Sequence, residues 1–220
     1  QNRVGPGRLV GSGLAKPRTV LTVALVFFAL AAVAGIVITV MTQHWWFLAV
    51  GAASIVAAWF YTGGKRPYGY MALGEVFVFV FFGLVAVAGT TFAQAGTVNV
   101  EAWLLAVAAG SFATAVLLAN NLRDIEQDRV SGKRTLTVLI GSVPTRVLYG
   151  LLMALPYGVL VVLGFFYTGT GFVFFTLLLA VPAVVITATA RTAKELVLVL
   201  SLTSITALVW AIGTSAAIAL

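Results

Sequence analysis

Only 9% of the 220 residues are charged, against about 25% in an ordinary soluble domain, and 61% are hydrophobic, more apolar surface than a soluble core could bury. Apolar runs of about 20 residues without strand-like alternation exclude a membrane β-barrel, and the lack of cysteine excludes disulfides, thiolate metal sites and a cysteine nucleophile. The net charge of +7 does not point to nucleic acid, because the basic residues are dispersed over the loops between apolar runs rather than gathered in one patch.

The first eighteen residues, QNRVGPGRLVGSGLAKPR, are polar, basic and rich in Gly and Pro. That composition does not fit a cleavable signal peptide, and without an initiator Met the chain is expected to start inside a loop of something longer. Seven apolar stretches follow, at about 19–41, 45–62, 71–93, 101–120, 146–167, 171–189 and 196–219, each expected to be a membrane-spanning helix. The fold expectation is all-α: a polytopic transmembrane helical bundle forming a single domain over 1–220.

Between the first two stretches, His44, Trp45 and Trp46 read as an interfacial anchor. At the end of the second, Tyr61 and Lys65 form a Tyr-x-x-x-Lys pair. Gly63 and Gly64 allow a turn there and Pro67 prevents the helix from continuing. Lys65 and Arg66 can reach an anion at this edge; the plainer reading is two snorkelling cations. Glu75 opens the third stretch. An acid at a membrane boundary is either functional or a helix N-terminal acid favoured by the dipole. Phe77, Phe79, Phe81 and Phe82 either shield a carbocation and line a lipid-tail groove or simply pack.

The fourth stretch runs into NNLRDIEQDRVSGKRTL, residues 120–136, which holds three of the six acids and four of the thirteen bases in the chain. Asn120, Asp124 and Asp128 stand at i, i+4 and i+8, and so share one helical face, whereas Glu126 lies about 200° round from either aspartate. Two carboxylates on one face repel unless a cation lies between them. Arg123 and Arg129 supply part of that charge, and a divalent metal supplies it better. Mg²⁺ takes one or two carboxylates together with substrate phosphates. Arg129, Lys133 and Arg134, around a flexible Gly132, offer partners to phosphate oxygens. The pattern is that of a diphosphate bridged to protein through Mg²⁺; the plainer alternative is a charge-balanced solvated loop. In the last three stretches, Pro156 and Pro182 are expected to kink their helices.

All thirteen basic residues fall at the amino terminus or near 62–70, 120–146 and 189–195, and none near 42–45, 94–100 or 168–170. Alternate loops therefore share a side. By the positive-inside rule the motif loops are cytoplasmic and the carboxyl terminus is outside.

The Asn120-x-x-x-Asp124-x-x-x-Asp128 motif with the earlier Tyr61-x-x-x-Lys65 resembles the UbiA superfamily of intramembrane prenyltransferases. YTGGKRPYGYMALGEVFVFVFFG, NNLRDIEQDRVSGKRTL and RVGPGRLVGSGLA resemble its menaquinone branch, the 1,4-dihydroxy-2-naphthoate polyprenyltransferases. The resemblance covers the whole chain and implies nine spans and two aspartate motifs, so two further spans and a first motif are expected before Gln1. It also implies Mg²⁺-dependent transfer of a polyprenyl chain from its diphosphate to 1,4-dihydroxy-2-naphthoate in a bacterial plasma membrane. Asp124 and Asp128 would then hold metal together with Asn120, and Lys65 and Tyr61 would take part in catalysis. Substrate contacts would fall to Asn121, Arg66, Arg129, Lys133, Arg134 and Glu75, with Arg3 and Arg8 as further contacts. Two rival readings are a different aromatic acceptor such as 4-hydroxybenzoate, and a seven-span transporter or receptor. The latter requires ionisable residues in mid-span, of which there are almost none.

Overall fold

The computed structural model describes residues 9–64 and 67–219, and the chain divides into two compact units, one up to Tyr68 and the other from Gly69. In the first unit α1 (Pro17–Thr42) begins with proline in its first turn, where the missing N–H costs no helix bond, and ends on Gln43 in the left-handed conformation (φ 58°). α2 (Phe47–Thr62) follows after four residues and packs back on α1. In the connection, the rings of His44 and Trp46 lie against Phe47, with centroids 6.0 and 4.3 Å away. Both helices are apolar around their whole circumference, as a membrane span is. Beyond α2 the chain folds back: the Tyr68 hydroxyl donates to the Ala57 carbonyl at 2.6 Å and its ring meets Tyr61 edge-on at 5.5 Å. Gly63 is required in that turn, since a Cβ would stand 2.6 Å from the Trp59 carbonyl oxygen.

The second unit is organised around α4 (Val100–Arg123). Asn99 caps its start, the side-chain oxygen accepting from the Ala102 N–H at 3.1 Å. Three helices pack on it: α3 (Gly74–Ala95), α7 (Ser142–Leu163) and α9 (Ala193–Ala219). The α3–α4 crossing brings backbone against backbone. A Cβ on Gly83 would lie 2.6 Å from both the Ala106 carbonyl oxygen and the Gly110 Cα. Small residues let membrane helices approach this closely. The contact falls in a stretch of α3, Phe79–Ala88, wound as a π-helix. On the other side Phe112 meets Trp210 of α9 edge-on at 5.7 Å. α8 (Thr168–Thr189) begins as a 3-10 helix through Thr176. Buried hydroxyls tie the helices together: Tyr149 of α7 to Thr203 of α9 at 2.7 Å, and Tyr157 of α7 to Thr176 of α8 at 2.9 Å. Between α4 and α7 lie two short helices, α5 (Ile125–Val130) and α6 (Leu136–Ile140).

All seven expected stretches are helical. Among the described residues six helices are long and apolar enough to cross a membrane; α2, at sixteen residues, is shorter. At 1.5 Å per residue it covers about 24 Å, less than a hydrocarbon core of about 30 Å. No strand forms among the described residues beyond an isolated parallel bridge between Met71 and Arg134. Several residues read as loop cations lie in helices instead, Arg146 and Lys194 among them. Arg146 stands in the second turn of α7, and Lys194 in the first turn of α9. The Arg146 guanidinium donates to the Thr187, Ala188 and Ala190 carbonyls at 2.6–2.8 Å, satisfying the end of α8, where helix carbonyls lack partners and a cation complements the dipole. α7 and α8 each run through their proline, Pro156 and Pro182, without interruption of the helix.

Candidate functional site

The charged motif sits where α4 ends. Asp124 leaves helical geometry (φ −97°, ψ 6°), so Asn120 lies on α4 and Asp128 on α5, not on one unbroken helix as the spacing predicted. The four-residue register survives the break: the Asp124 N–H bonds to the Asn120 carbonyl at 3.1 Å, and the Asp128 N–H to the Asp124 carbonyl at 2.8 Å. α5 then closes on itself. Gly132 takes a left-handed conformation (φ 75°) that a side chain would resist, and the Lys133 N–H returns to the Asp128 carbonyl at 3.0 Å. Arg134 follows, its N–H bonded to the Tyr70 carbonyl at 3.0 Å, and Thr135 caps α6.

This folding brings together Asn120, Asp124, Arg123, Asp128 and Lys133. Arg123 forks onto Asp124, with Nε and one terminal nitrogen each 2.7 Å from a carboxylate oxygen, and that nitrogen also donates to Asn120 Oδ1 at 2.8 Å. Such bidentate pairs are the strong form of charge-assisted hydrogen bond. Asp128 is buried, and Lys133 Nζ lies 2.9 Å from its Oδ1 while also standing 4.9 Å above the centre of the Tyr70 ring. Among the described residues each aspartate thus faces a basic side chain. The expected pairing was with Arg123 and Arg129. Arg129 instead meets Glu126 across one turn at 3.2 Å, and both side chains are exposed. A surface pair of that kind contributes little.

Glu75 and Asn121 form a second pair beside the first. Both are buried, on α3 and α4, and the Asn121 amide donates to the Glu75 carboxylate at 2.9 Å. The carboxylate opens α3, where the helix dipole favours it, and the amide satisfies one of its oxygens out of water. Among the described residues no group of three or more His, Cys, Asp or Glu side chains is placed to hold a metal ion.

The remaining expected residues are not gathered here. Arg134 is exposed and joined to this region by its backbone. Tyr61 belongs to the first unit, against Tyr68. Lys65, Arg66, Arg3 and Arg8 lie outside the described residues. One contributor went unread in the sequence: Tyr70, which provides a ring to Lys133 and a carbonyl to Arg134. Nothing in residue spacing links position 70 to position 133.

The UbiA prenyltransferase family model matches residues 1–197. A protein of Mycobacterium tuberculosis named 1,4-dihydroxy-2-naphthoate octaprenyltransferase is 43% identical over 232 aligned positions, covering 99% of this chain and 74% of that protein. The Mycobacterium leprae protein of the same name is also 43% identical, over all of this chain and 74% of its own length. The Escherichia coli protein of that name is 41% identical over 66% of this chain and 49% of its own. No solved structure matches the chain. Taken with apolar helices of bilayer-crossing length, these matches establish a multi-pass membrane protein, and the chain belongs to the UbiA prenyltransferase family.

Proposed function

We propose that this chain works in transferring a polyprenyl group from polyprenyl diphosphate to 1,4-dihydroxy-2-naphthoate, with diphosphate and CO₂ leaving and demethylmenaquinol formed. The observation that carries this reading is the end of α4, where Asp124, Asp128 and Asn120 are turned towards basic side chains at the edge of an apolar bundle. The names of the mycobacterial relatives supply the acceptor and the class of donor.

The oxygen-only set of Asp124, Asp128 and the Asn120 amide fits a hard divalent cation, and Mg²⁺ suits it because that ion takes few carboxylates and completes its shell with water and phosphate. Asp124 and Asp128 would hold it, with Asn120 beside them, and bound Mg²⁺ would stabilise the negative charge that develops on a departing diphosphate. The protein's own groups do the rest. Arg123 fixes the orientation of Asp124 and Asn120 together. Lys133 supplies a partly exposed positive charge on the same face, at Asp128. The Glu75–Asn121 pair pins the start of α3 to the end of α4. In our reading Lys65, Arg66, Arg129 and Arg134 neutralise remaining phosphate charge, Arg3 and Arg8 contact diphosphate or the naphthoate carboxylate, and Tyr61 joins Lys65. The allylic cation left on the prenyl chain is attacked by the electron-rich naphthoate ring, and the apolar surroundings keep water from it first. A site at the cytoplasmic membrane edge suits a donor whose tail lies in lipid and whose head is aqueous.

The test is product analysis of the purified protein in liposomes, supplied with octaprenyl diphosphate and either 1,4-dihydroxy-2-naphthoate or 4-hydroxybenzoate. Prenylation of the naphthoate with release of diphosphate is expected. Prenylation of 4-hydroxybenzoate alone would overturn the acceptor assignment, and no transfer to either would overturn the reaction class.

A further inference from the structure

We propose that Lys133, seated on the ring of Tyr70, is a displaceable counter-ion that holds the place of the divalent cation at Asp128 and then transfers its charge to the diphosphate; this rests on the metal–diphosphate reading above. The two aspartates are balanced in different ways. Arg123 is nine-tenths buried, forks across both oxygens of Asp124 and is tied to Asn120 as well. Lys133 makes a single contact to Asp128, Nζ to Oδ1 at 2.9 Å, and a quarter of its side chain is exposed. A guanidinium fork is a fixed, directional partner; an ammonium on a flexible stem is a point charge that leaves easily. Asp128 itself is buried and costly to leave unbalanced, so a resting site without metal needs some cation there. Lys133 meets that need from a turn that fixes where its stem begins: Gly132 with positive φ, the Lys133 N–H on the Asp128 carbonyl, and the Arg134 N–H on the Tyr70 carbonyl. The Tyr70 ring, 4.9 Å from Nζ, attracts the ammonium without neutralising it. Tyr70 is therefore a positioning residue, and metal and Lys133 compete for one carboxylate.

Mn²⁺ titration of the purified, substrate-free protein in detergent, followed by electron paramagnetic resonance, tests this. Lys133→Gln removes the competitor and should tighten Mn²⁺ binding by about fivefold, the upper worth of a partly exposed ion pair. Lys133→Arg keeps a competitor of the less displaceable kind and should bind Mn²⁺ no more tightly than wild type, and Tyr70→Leu should tighten binding by a smaller factor that Tyr70→Phe abolishes. In steady-state assays Lys133→Gln should raise KM for octaprenyl diphosphate, because the charge that moves to phosphate is gone. Unchanged or weaker Mn²⁺ binding in Lys133→Gln would overturn the competition, and an unchanged KM would overturn the transfer to diphosphate. The underlying reading fails separately: Mn²⁺ bound at full affinity by Asp128→Asn would show that the metal is held elsewhere, whatever Lys133 does.

Discussion

Asp124 and Asp128 differ from Glu126 in where their side chains go. The aspartates are half-buried and buried, each against a basic side chain, whereas the Glu126 side chain is 79% exposed and meets Arg129 on the surface. Asp124→Asn or Asp128→Asn should therefore cut the rate of demethylmenaquinol formation in liposomes by about 10²–10³, the usual loss when transition-state charge stabilisation is removed. Glu126→Gln should stay within a few-fold of wild type; a loss as large as that of the aspartates would reverse the assignment of faces. Glu75 calls for a different experiment. Its carboxylate receives the buried Asn121 amide, and a glutamine in its place can still accept that bond. Glu75→Gln should accordingly keep its unfolding midpoint in detergent, while Glu75→Leu strands the amide and should lose about 1–3 kcal/mol. Equal behaviour of the two variants would show that the pair does not bear on stability. The inward face of the motif could be read from a spacing of four, because that interval survives the break at Asp124. The identity of each counter-charge could not. Arg123 and Arg129 flank the aspartates equally well in sequence, and only the left-handed turn at Gly132 brings Lys133 back over Asp128.

Elements were legible from hydropathy and their ends were not. An apolar window registers greasy side chains and is blind to caps, so α7 was placed four residues late: Gly141, with φ at 85°, sets its start at Ser142 and moves Arg146 from the helix edge to its second turn. That shift turns a presumed loop cation into a fastening between α7 and α8. Arg146→Met leaves three carbonyls at the end of α8 without their donors and should lower stability by about 1–3 kcal/mol, measured by reversible unfolding in mixed micelles. A midpoint equal to wild type would mean that water satisfies those carbonyls as well as the guanidinium does. The α3–α4 crossing was visible only as a general richness in Gly and Ala; which glycines meet is decided by packing. Gly83 lies against backbone, which cannot move aside as a flexible side chain can. Gly83→Ala should cost about 1–3 kcal/mol as overpacking. Gly158, with nothing within 4 Å of a built Cβ, should accept alanine with no loss, which makes it the internal control.

At the scale of the whole molecule the charge asymmetry of the loops makes the strongest claim, and α4 gives it a physical ruler. Thr97 precedes α4 and Ser131 follows α5, so the 24 residues of α4 stand between them, a rise of about 36 Å that exceeds a hydrocarbon core of about 30 Å. The loop around Thr97 holds no basic residue, while 120–146 holds five. The positive-inside rule predicts that the end with Asp124 and Asp128 faces the cytoplasm and that Thr97 faces out. The chain has no cysteine of its own, so a single introduced thiol reports without background. Thr97 is the better outer position, since neighbouring Gly96 sits at φ 69° and would be strained by any side chain. Both chosen residues are exposed. In intact cells, Thr97→Cys should react with a membrane-impermeant maleimide and Ser131→Cys only after permeabilisation. Labelling of both from outside would mean that α4 does not cross the membrane, and the reverse pattern would put the aspartates on the outer face, where the basic loops could not have directed them.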